Sequence, residues 1–197
     1  MKTAIVLFLS YLIGSISGSY IIGKLLRGTD IREHGSGNAG TTNAIRVMGK
    51  KLGYLTFFID VVKGVAVMLF LAPLLAPELR LFAGVFVVLG HDFPFYLRFR
   101  GGKGIATTLG AWGILHPVFA AVSAAIGVIC ALATRYVSVG SMCFLSAISI
   151  AMIWTYSATP WNVVAVVVLW ILGFVRHRSN IDRLRRGTEK RIGGNSQ

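Results

Sequence analysis

The sequence predicts an all-α integral membrane protein: a single membrane domain over residues 1–197, built as a seven-transmembrane-helix bundle with its N-terminus outside and its C-terminus cytoplasmic. Three observations predict it. The 197 residues are 55 % hydrophobic and only 14 % charged, with a mean hydropathy of +0.71. Soluble domains carry roughly 25 % charge, so this chain cannot cover a water-facing surface; a soluble enzyme, a disordered chain and a disulfide scaffold are excluded. Apolar stretches long enough to cross a hydrocarbon core of about 30 Å recur along the chain. The excess of basic residues, 20 Lys and Arg against 7 Asp and Glu, gathers between those stretches in a way that fits the cytoplasmic bias of membrane loops.

The elements follow in order. Residues 3–23 carry no charge and start a first span over about 3–26, in which Gly14, Ser15, Gly18 and Ser19 give the small-xxx-small spacing of closely packed helices. Residues 24–51 read as a polar loop rich in Gly, Thr and Asn. A second span covers about 52–76 and contains Asp60 and Lys63; a third covers 79–97 and ends in His91-Asp92-Phe93-Pro94. Residues 98–103 are a tight basic loop. The next 31 residues, 104–134, have no Lys, Arg, Asp or Glu; as one helix they would run about 46 Å, too long for the bilayer. His116-Pro117 is the natural break, because proline ends or kinks a helix. That gives a short fourth span, 104–115, and a fifth, 117–134. The sixth is 137–156, the seventh 160–175 with proline at its start, and 176–197 form a basic cytoplasmic tail whose last residues, 193–197, read as disordered. Cys130 and Cys143 lie in apolar runs and read as packing residues.

Loop charge discriminates between counts. With seven spans, 17 basic residues fall inside against Lys2 and Arg80 outside; fusing the fourth and fifth spans gives 9 inside and 10 outside. The positive-inside rule selects seven. Every polar, glycine-rich loop then faces the cytoplasm.

Three of those segments have the composition of a site for anions. Gly35-Ser-Gly-Asn-Ala-Gly-Thr-Thr-Asn-Ala-Ile-Arg46 contains G-x-G-x-x-G, but no strand precedes it, so a dinucleotide fold is not implied. Glycines still allow backbone N–H groups to converge on an anion, with Ser36, Asn38, Thr41, Thr42, Asn43 and Arg46 as added donors around Gly37 and Gly40; the other reading is a flexible connector. In Arg98-Phe-Arg-Gly-Gly-Lys-Gly104, Gly101, Gly102 and Gly104 bracket Lys103 at a helix start, a phosphate-cradle composition that lacks the full nucleotide-binding spacing; the other reading is an interfacial turn. Beyond the seventh span, His177 and Asn180 are i, i+3 on one helix face, among arginines that would also suit a lipid-facing tail. Asp60 and Lys63 are either a structural ion pair inside the membrane or members of the site. His91, close to the basic loop, is a further lining residue. His177 and Asp182 fit H-x-x-x-x-D, but i and i+5 lie about 140° apart on a helix.

These segments together resemble the bacterial membrane-integral glycerol-3-phosphate acyltransferases, the acyl-phosphate-dependent PlsY family. The likeness runs from Gly14-Ser-Ile-Ser17 through Gly35-Ser-Gly-Asn38, Thr42-Asn43, Arg46, Asp60-Val-Val-Lys-Gly64, Gly90-His91, Gly101-Gly-Lys-Gly-Ile-Ala-Thr107 and Arg176-His177 to Asn180-Ile181 and Arg183, essentially the whole chain. Ala39 stands where relatives often have proline, and Asp92 and Asp182 fall outside the family's pattern. The resemblance implies transfer of a fatty acyl group from acyl phosphate to the sn-1 hydroxyl of glycerol 3-phosphate. The products are lysophosphatidic acid and phosphate, in the first acylation of phospholipid synthesis at the bacterial inner membrane. It implies catalytic roles for His177, Asn180, Ser36, Arg46 and Lys103. Substrate binding falls to Gly37, Asn38, Gly40, Thr41, Thr42, Asn43, Gly101, Gly102, Gly104 and His91. No cofactor, metal or nucleic acid is expected, and the protein is expected to be a monomer. Acyl phosphate is already activated, so direct attack without an acyl-enzyme suffices; the proton acceptor is His177 or a phosphate oxygen of the substrate. A transporter of organic phosphate or lipid is the rival reading, which intramembrane charges and a broken helix would suit, although the chain has no repeated halves.

Overall fold

The computed structural model describes residues 1–193, so the expectation for 193–197 falls, apart from residue 193, outside the described residues. The described residues are helical throughout, without strands, and divide into two compact units, Met1–Leu115 and His116 onward. Four helical stretches are long and apolar enough to cross a membrane: Lys50–Leu74, Pro77–Leu97, Pro117–Thr134 and Val137–Thr155. Counting each of two bent pairs as one span raises the number to six. Ile105–Leu115 is apolar but has 11 residues, about 16 Å of helix, half the thickness of the hydrocarbon core.

The first unit holds α1 (Lys2–Ser15), α2 (Gly18–Arg27), α3 (Thr41–Met48), α4 (Lys50–Ala66), α5 (Arg80–Asp92) and α6 (Ile105–Leu115). Its helices pair through glycines. Where α1 crosses α5, a Cβ on Gly14 would enter the Val87 backbone, and one on Gly90 would meet Tyr11 O and Ser15 N. Where α4 crosses α6, Gly64 faces the backbone of Thr107 and Ala111 while Gly110 faces that of Val61. In an apolar solvent no hydrophobic force drives helices together, so close backbone approach and the dispersion contacts it permits take that role.

The first span departs from expectation. Instead of one helix over 3–26, the chain breaks at Ile16 and Ser17 and turns by 40°. Ser17 is an N-cap whose hydroxyl accepts from Tyr20 N, 3.4 Å, and so starts α2. The backbone groups released by the break find side-chain partners. Tyr96 Oη donates to Ser15 O, 3.0 Å, and accepts from Ser17 N, 3.1 Å, and Lys63 Nζ donates to Ile16 O, 2.8 Å. The loop expected over 24–51 is also more ordered than expected. α2 runs to Arg27, Ile31–Glu33 forms a 3₁₀ turn, and α3 fills Thr41–Met48. α4 begins at Lys50 and passes through a π turn at Val67–Leu71 to a 3₁₀ turn at Ala72–Leu74, where Pro73 ends it.

The second unit holds α7 (Pro117–Thr134), α8 (Val137–Thr155), α9 (Pro160–Arg176) and α10 (Arg178–Arg185). His116 is non-helical and bonds through Nε2 with Tyr156 Oη, 3.0 Å. α7 and α8 form an antiparallel pair around reciprocal Gly127 and Gly140, joined by a turn with Arg135 in the left-handed region, φ 63°. α9 packs on α8, with Gly173 against Leu145 and Trp170 Nε1 donating to Ser146 Oγ, 3.2 Å. Beyond α9 the tail bends by 50° into α10. Ile192 N then donates to Arg135 O, 2.7 Å, and Arg191 Nε to Tyr136 Oη, 3.2 Å.

Candidate active site

In the first unit the glycine-threonine loop is shaped from within. Asn43, 1 % exposed, donates its amide to Ile31 O and His34 O, both 3.0 Å, and accepts from Ser36 N, 2.8 Å. Both donors and one acceptor position of the side chain are spent on the loop, so Asn43 orders it. Ser36, Gly37 and Arg46 are exposed, Asn38, Thr41 and Thr42 half-buried. Gly40 is the N-cap of α3 and offers no side-chain cap. The N–H groups of the first helical turn therefore point out of the helix start beside the hydroxyls of Thr41 and Thr42, a donor set suited to an anion.

Arg32 fastens this loop to its neighbour. It pairs with Asp30 at 2.7 Å, donates through Nη1 to Leu97 O, 2.7 Å, and lies 5.3 Å over the Tyr20 ring. The hydrogen bond from Arg32 holds the Asp30 carboxyl below its ordinary value, outweighing the opposite effect of partial burial. Leu97 is the last residue of the turn that leads into the second loop. The two glycine-bearing loops of this unit are thus tied side by side.

The second loop is a strap folded back onto α5. Arg98 and Phe99 both adopt left-handed φ, 54° and 58°, a conformation that costs about 1 kcal/mol or more per non-glycine residue. Four backbone bonds offset the cost: Phe99 N to Pro94 O, 3.0 Å; Arg100 N to Leu97 O, 3.2 Å; Gly101 N to Asp92 O, 3.1 Å; and Gly102 N to His91 O, 3.0 Å. Side-chain space at the glycines is taken. A Cβ on Gly101 would enter His91 O and Pro94, one on Gly102 the His91 imidazole, and Gly104 has φ 72°. The glycines are therefore required by packing against the end of α5, a reason distinct from close approach to a phosphate. Lys103, half-buried, follows, and α6 starts two residues later.

Behind the strap lies a buried polar cluster. Lys63 Nζ is 2.9 Å from Asp60 Oδ1 and 2.8 Å from His91 Nδ1, and His91 Nδ1 is 3.4 Å from Asp60 Oδ1. All three side chains are at most 5 % exposed. Asp60 and Lys63 are an ion pair, and His91 completes a cluster that i, i+3 spacing on α4 could not reveal, since its third member comes from α5.

In the second unit His177 and Asn180 are both buried. They do not share a continuous helix face: α9 ends at Arg176, His177 is the cap between α9 and α10, and Asn180 N donates to His177 O, 2.8 Å. His177 Nδ1 lies 2.7 Å from Gly173 O. A carbonyl only accepts, so Nδ1 carries a proton, and in the neutral ring Nε2 is the acceptor nitrogen. Asp182 is exposed on α10 and the Nδ1 partner is a carbonyl, so the H-x-x-x-x-D pattern does not form a His–Asp pair. Asn180 Nδ2 donates to Glu189 Oε1, 2.6 Å, and Arg183 Nε to Glu189 Oε2, 2.6 Å. Burial pushes the Glu189 carboxyl up, but the bonds from Arg183 and Asn180 outweigh it and leave it below the ordinary glutamate value. Glu189 is a residue that sequence reasoning missed. Its signal, one buried acid in a run of arginines, reads in sequence as an ordinary solvated charge.

A family model described as glycerol-3-phosphate acyltransferase matches residues 4–187. The chain belongs to the glycerol-3-phosphate acyltransferase family. It is 42 % identical over 193 residues to the glycerol-3-phosphate acyltransferase of Alkaliphilus metalliredigens, covering 98 % of this chain and 97 % of that one. Against glycerol-3-phosphate acyltransferase 1 of Deinococcus radiodurans it is 41 % identical over 194 residues, with the same coverage. Crystal structures of PlsY, an integral membrane glycerol 3-phosphate acyltransferase, in a glycerol 3-phosphate form and a lysophosphatidic acid form, each superpose with a TM-score of 0.85. Both are 36 % identical to this chain and cover 98 % of it and 96 % of their own. The acyltransferase family, PlsY included, is thus where the sequence resemblance placed the chain. Membership makes the chain a membrane-integral enzyme of phospholipid synthesis, and the transporter reading falls.

Proposed function

We propose that this enzyme takes its acyl group from acyl phosphate and passes it directly to the sn-1 hydroxyl of glycerol 3-phosphate. The hydroxyl oxygen attacks the acyl carbonyl carbon, and the bond from that carbon to the phosphate oxygen breaks. Phosphate leaves with the bonding pair, and the hydroxyl proton passes to His177 Nε2 or to a phosphate oxygen. Lysophosphatidic acid and phosphate are the products. The observation that carries the reading is the strap Gly101–Gly104, fixed on α5 with Lys103 at the head of α6 and roped through Arg32 to the loop that opens α3. Two neighbouring donor-rich loops suit two phosphate-bearing substrates.

In this reading the strap and Lys103 bind the phosphate of glycerol 3-phosphate, with Arg46 as a second cation. Ser36, Asn38, Thr41 and Thr42, on the loop that Asn43, Gly37 and Gly40 shape, bind the acyl-phosphate head. His177 accepts the proton or donates to a phosphate, and Asn180 stabilises developing negative charge. Support comes from family membership and from the PlsY crystal form that contains glycerol 3-phosphate. The chemistry is assigned to the cytoplasmic face of the inner membrane, in a monomer of seven spans counting the short α6.

The test is phosphate release by the purified chain in detergent with glycerol 3-phosphate and acyl phosphate. Stoichiometric phosphate and lysophosphatidic acid are expected, with acyl-CoA a poor donor. Equal turnover with acyl-CoA overturns the donor assignment. His177→Ala and Asn180→Ala are each expected to lose about 10²–10³ in kcat, and Asp182→Ala little. A loss at Asp182 equal to that at His177 would return the H-x-x-x-x-D mechanism.

A further inference from the structure

From the buried cluster behind the strap we infer that Asp60, Lys63 and His91 are positioning residues, which hold the Gly101–Gly104 loop, and with it Lys103, in the geometry that binds a phosphate. The inference rests on the reading of that loop as the glycerol 3-phosphate site. It changes the role of His91 from a group that lines substrate to one that acts through the loop.

The donor count carries the argument. A lysine ammonium has three N–H donors and no acceptor. Lys63 Nζ hydrogen-bonds with Ile16 O and His91 Nδ1, both at 2.8 Å, and is ion-paired with Asp60 Oδ1 at 2.9 Å; an ammonium cannot accept from the ring. Nδ1 is therefore an acceptor, and the proton of the ring sits on Nε2. The ring is fixed in tautomer and in rotation by the ammonium, which is itself fixed by a carboxylate one turn earlier on α4 and by the carbonyl that the α1–α2 break releases.

The fixed ring meets the strap twice. Its backbone carbonyl accepts from Gly102 N, 3.0 Å, and its Nε2 edge occupies the space where a side chain at position 102 would begin. Gly102 is clasped between the carbonyl and the ring of one residue, and Lys103 is next in the chain. A rotated ring would open the space beside Gly102 and let Lys103 swing. Burying an ammonium and a carboxylate is costly before they pair. A cluster that served packing alone would be replaceable by apolar side chains of similar volume; one that aims a loop is not.

The experiment compares Michaelis constants in folded variants of the full chain. Asp60→Asn/Lys63→Met removes both charges together, so no ion is left buried alone. It is expected to keep its thermal transition in detergent and to raise the KM for glycerol 3-phosphate roughly tenfold to a hundredfold. The KM for acyl phosphate should stay within about twofold. An unchanged KM for glycerol 3-phosphate in a folded variant overturns the inference.

Two measurements keep it falsifiable if that variant does not fold. ¹⁵N spectra of ring-labelled wild-type protein should show His91, identified by its loss in His91→Asn, protonated on Nε2 and not on Nδ1; the reverse tautomer overturns it. Gly102→Ala should raise the KM in wild type yet add little in the His91→Asn background, where the ring is gone. Equal, additive effects would mean that Gly102 serves substrate approach and not the clasp. Lys103→Met separates the two levels. If it leaves the KM for glycerol 3-phosphate unchanged, the loop is not the phosphate site; if it raises the KM while Asp60→Asn/Lys63→Met does not, only the positioning role fails.

Discussion

Asn43 and Glu189 are the side chains that hold functional segments in shape, and each makes a prediction at its own scale. Removing Asn43 leaves Ile31 O, His34 O and Ser36 N without their partner, and the buried one, Ile31 O, left unpaired costs roughly 1–3 kcal/mol. Asn43→Ala should lower the thermal transition and raise the KM for acyl phosphate more than that for glycerol 3-phosphate, as steady-state kinetics with each substrate varied would reveal. Glu189 is governed by protonation. Its folded value lies below its unfolded one, so its contribution to stability is complete above the unfolded value and is lost as pH falls through the folded one. Acidification, or Glu189→Gln at neutral pH, should free the segment after α10, and limited proteolysis should then cut near Gly187 faster than in wild type at pH 7. Both side chains are ordinary polar residues in sequence. Asn43 could be picked out because it stands in a glycine-threonine run, but its role could not, because its three partners lie 7 to 12 residues earlier. Glu189 gave no signal because its partners, Asn180 and Arg183, lie 9 and 6 residues earlier, and an acid among arginines looks solvated.

At the scale of elements, the helices that local pattern defines were legible. Pro117 and Pro160 mark starts, and His116-Pro117 divides a charge-free run too long for one span; α7, α8 and α9 lie where those signals put them. The break at Ile16-Ser17 was not legible, because no proline or charge marks it; the cause is a set of partners 47 to 81 residues away. That cause can be tested. Tyr96→Phe removes the hydroxyl that serves Ser15 O and Ser17 N and leaves the ring in place. The variant should lose roughly 1 kcal/mol or more of stability, read as a lowered transition in detergent, while Tyr54→Phe, at an exposed ring on α4, should lose none. An equal effect of the two would mean that the bend is held by helix packing and not by its side-chain caps. The strap follows the same logic. Its glycines were legible as a special backbone, but the neighbour that demands them, the end of α5, is visible only in three dimensions.

For the whole molecule, what decides function is the side of the membrane on which the donor-rich segments emerge, and here charge is the informative quantity. The loop 28–40 with α3, the strap 98–104 and the tail from Arg176 carry 16 of the 20 basic residues when Lys24, Arg27, Lys50 and Lys51 are counted with the first of them. An anionic leaflet surface and the energetics of insertion both favour keeping such segments on the cytoplasmic side. Helix length adds a constraint that composition could not supply. α6 has 11 residues and covers only about 16 Å, so whether the chain changes sides between the strap and α7 depends on α6 together with the non-helical His116. If it does, the tail and the strap emerge on the same side and Glu78 on the other; if it does not, the tail emerges beside Glu78. Single cysteines at Glu78 and Thr188, in a chain whose Cys130 and Cys143 are replaced by alanine, separate the cases by labelling intact cells with an impermeant maleimide. Glu78→Cys is expected to react from outside and Thr188→Cys only after the membrane is opened. Labelling of both from one side would put α6 with α7 in a single crossing, reverse the tail, and remove His177 and Asn180 from the face that carries the strap.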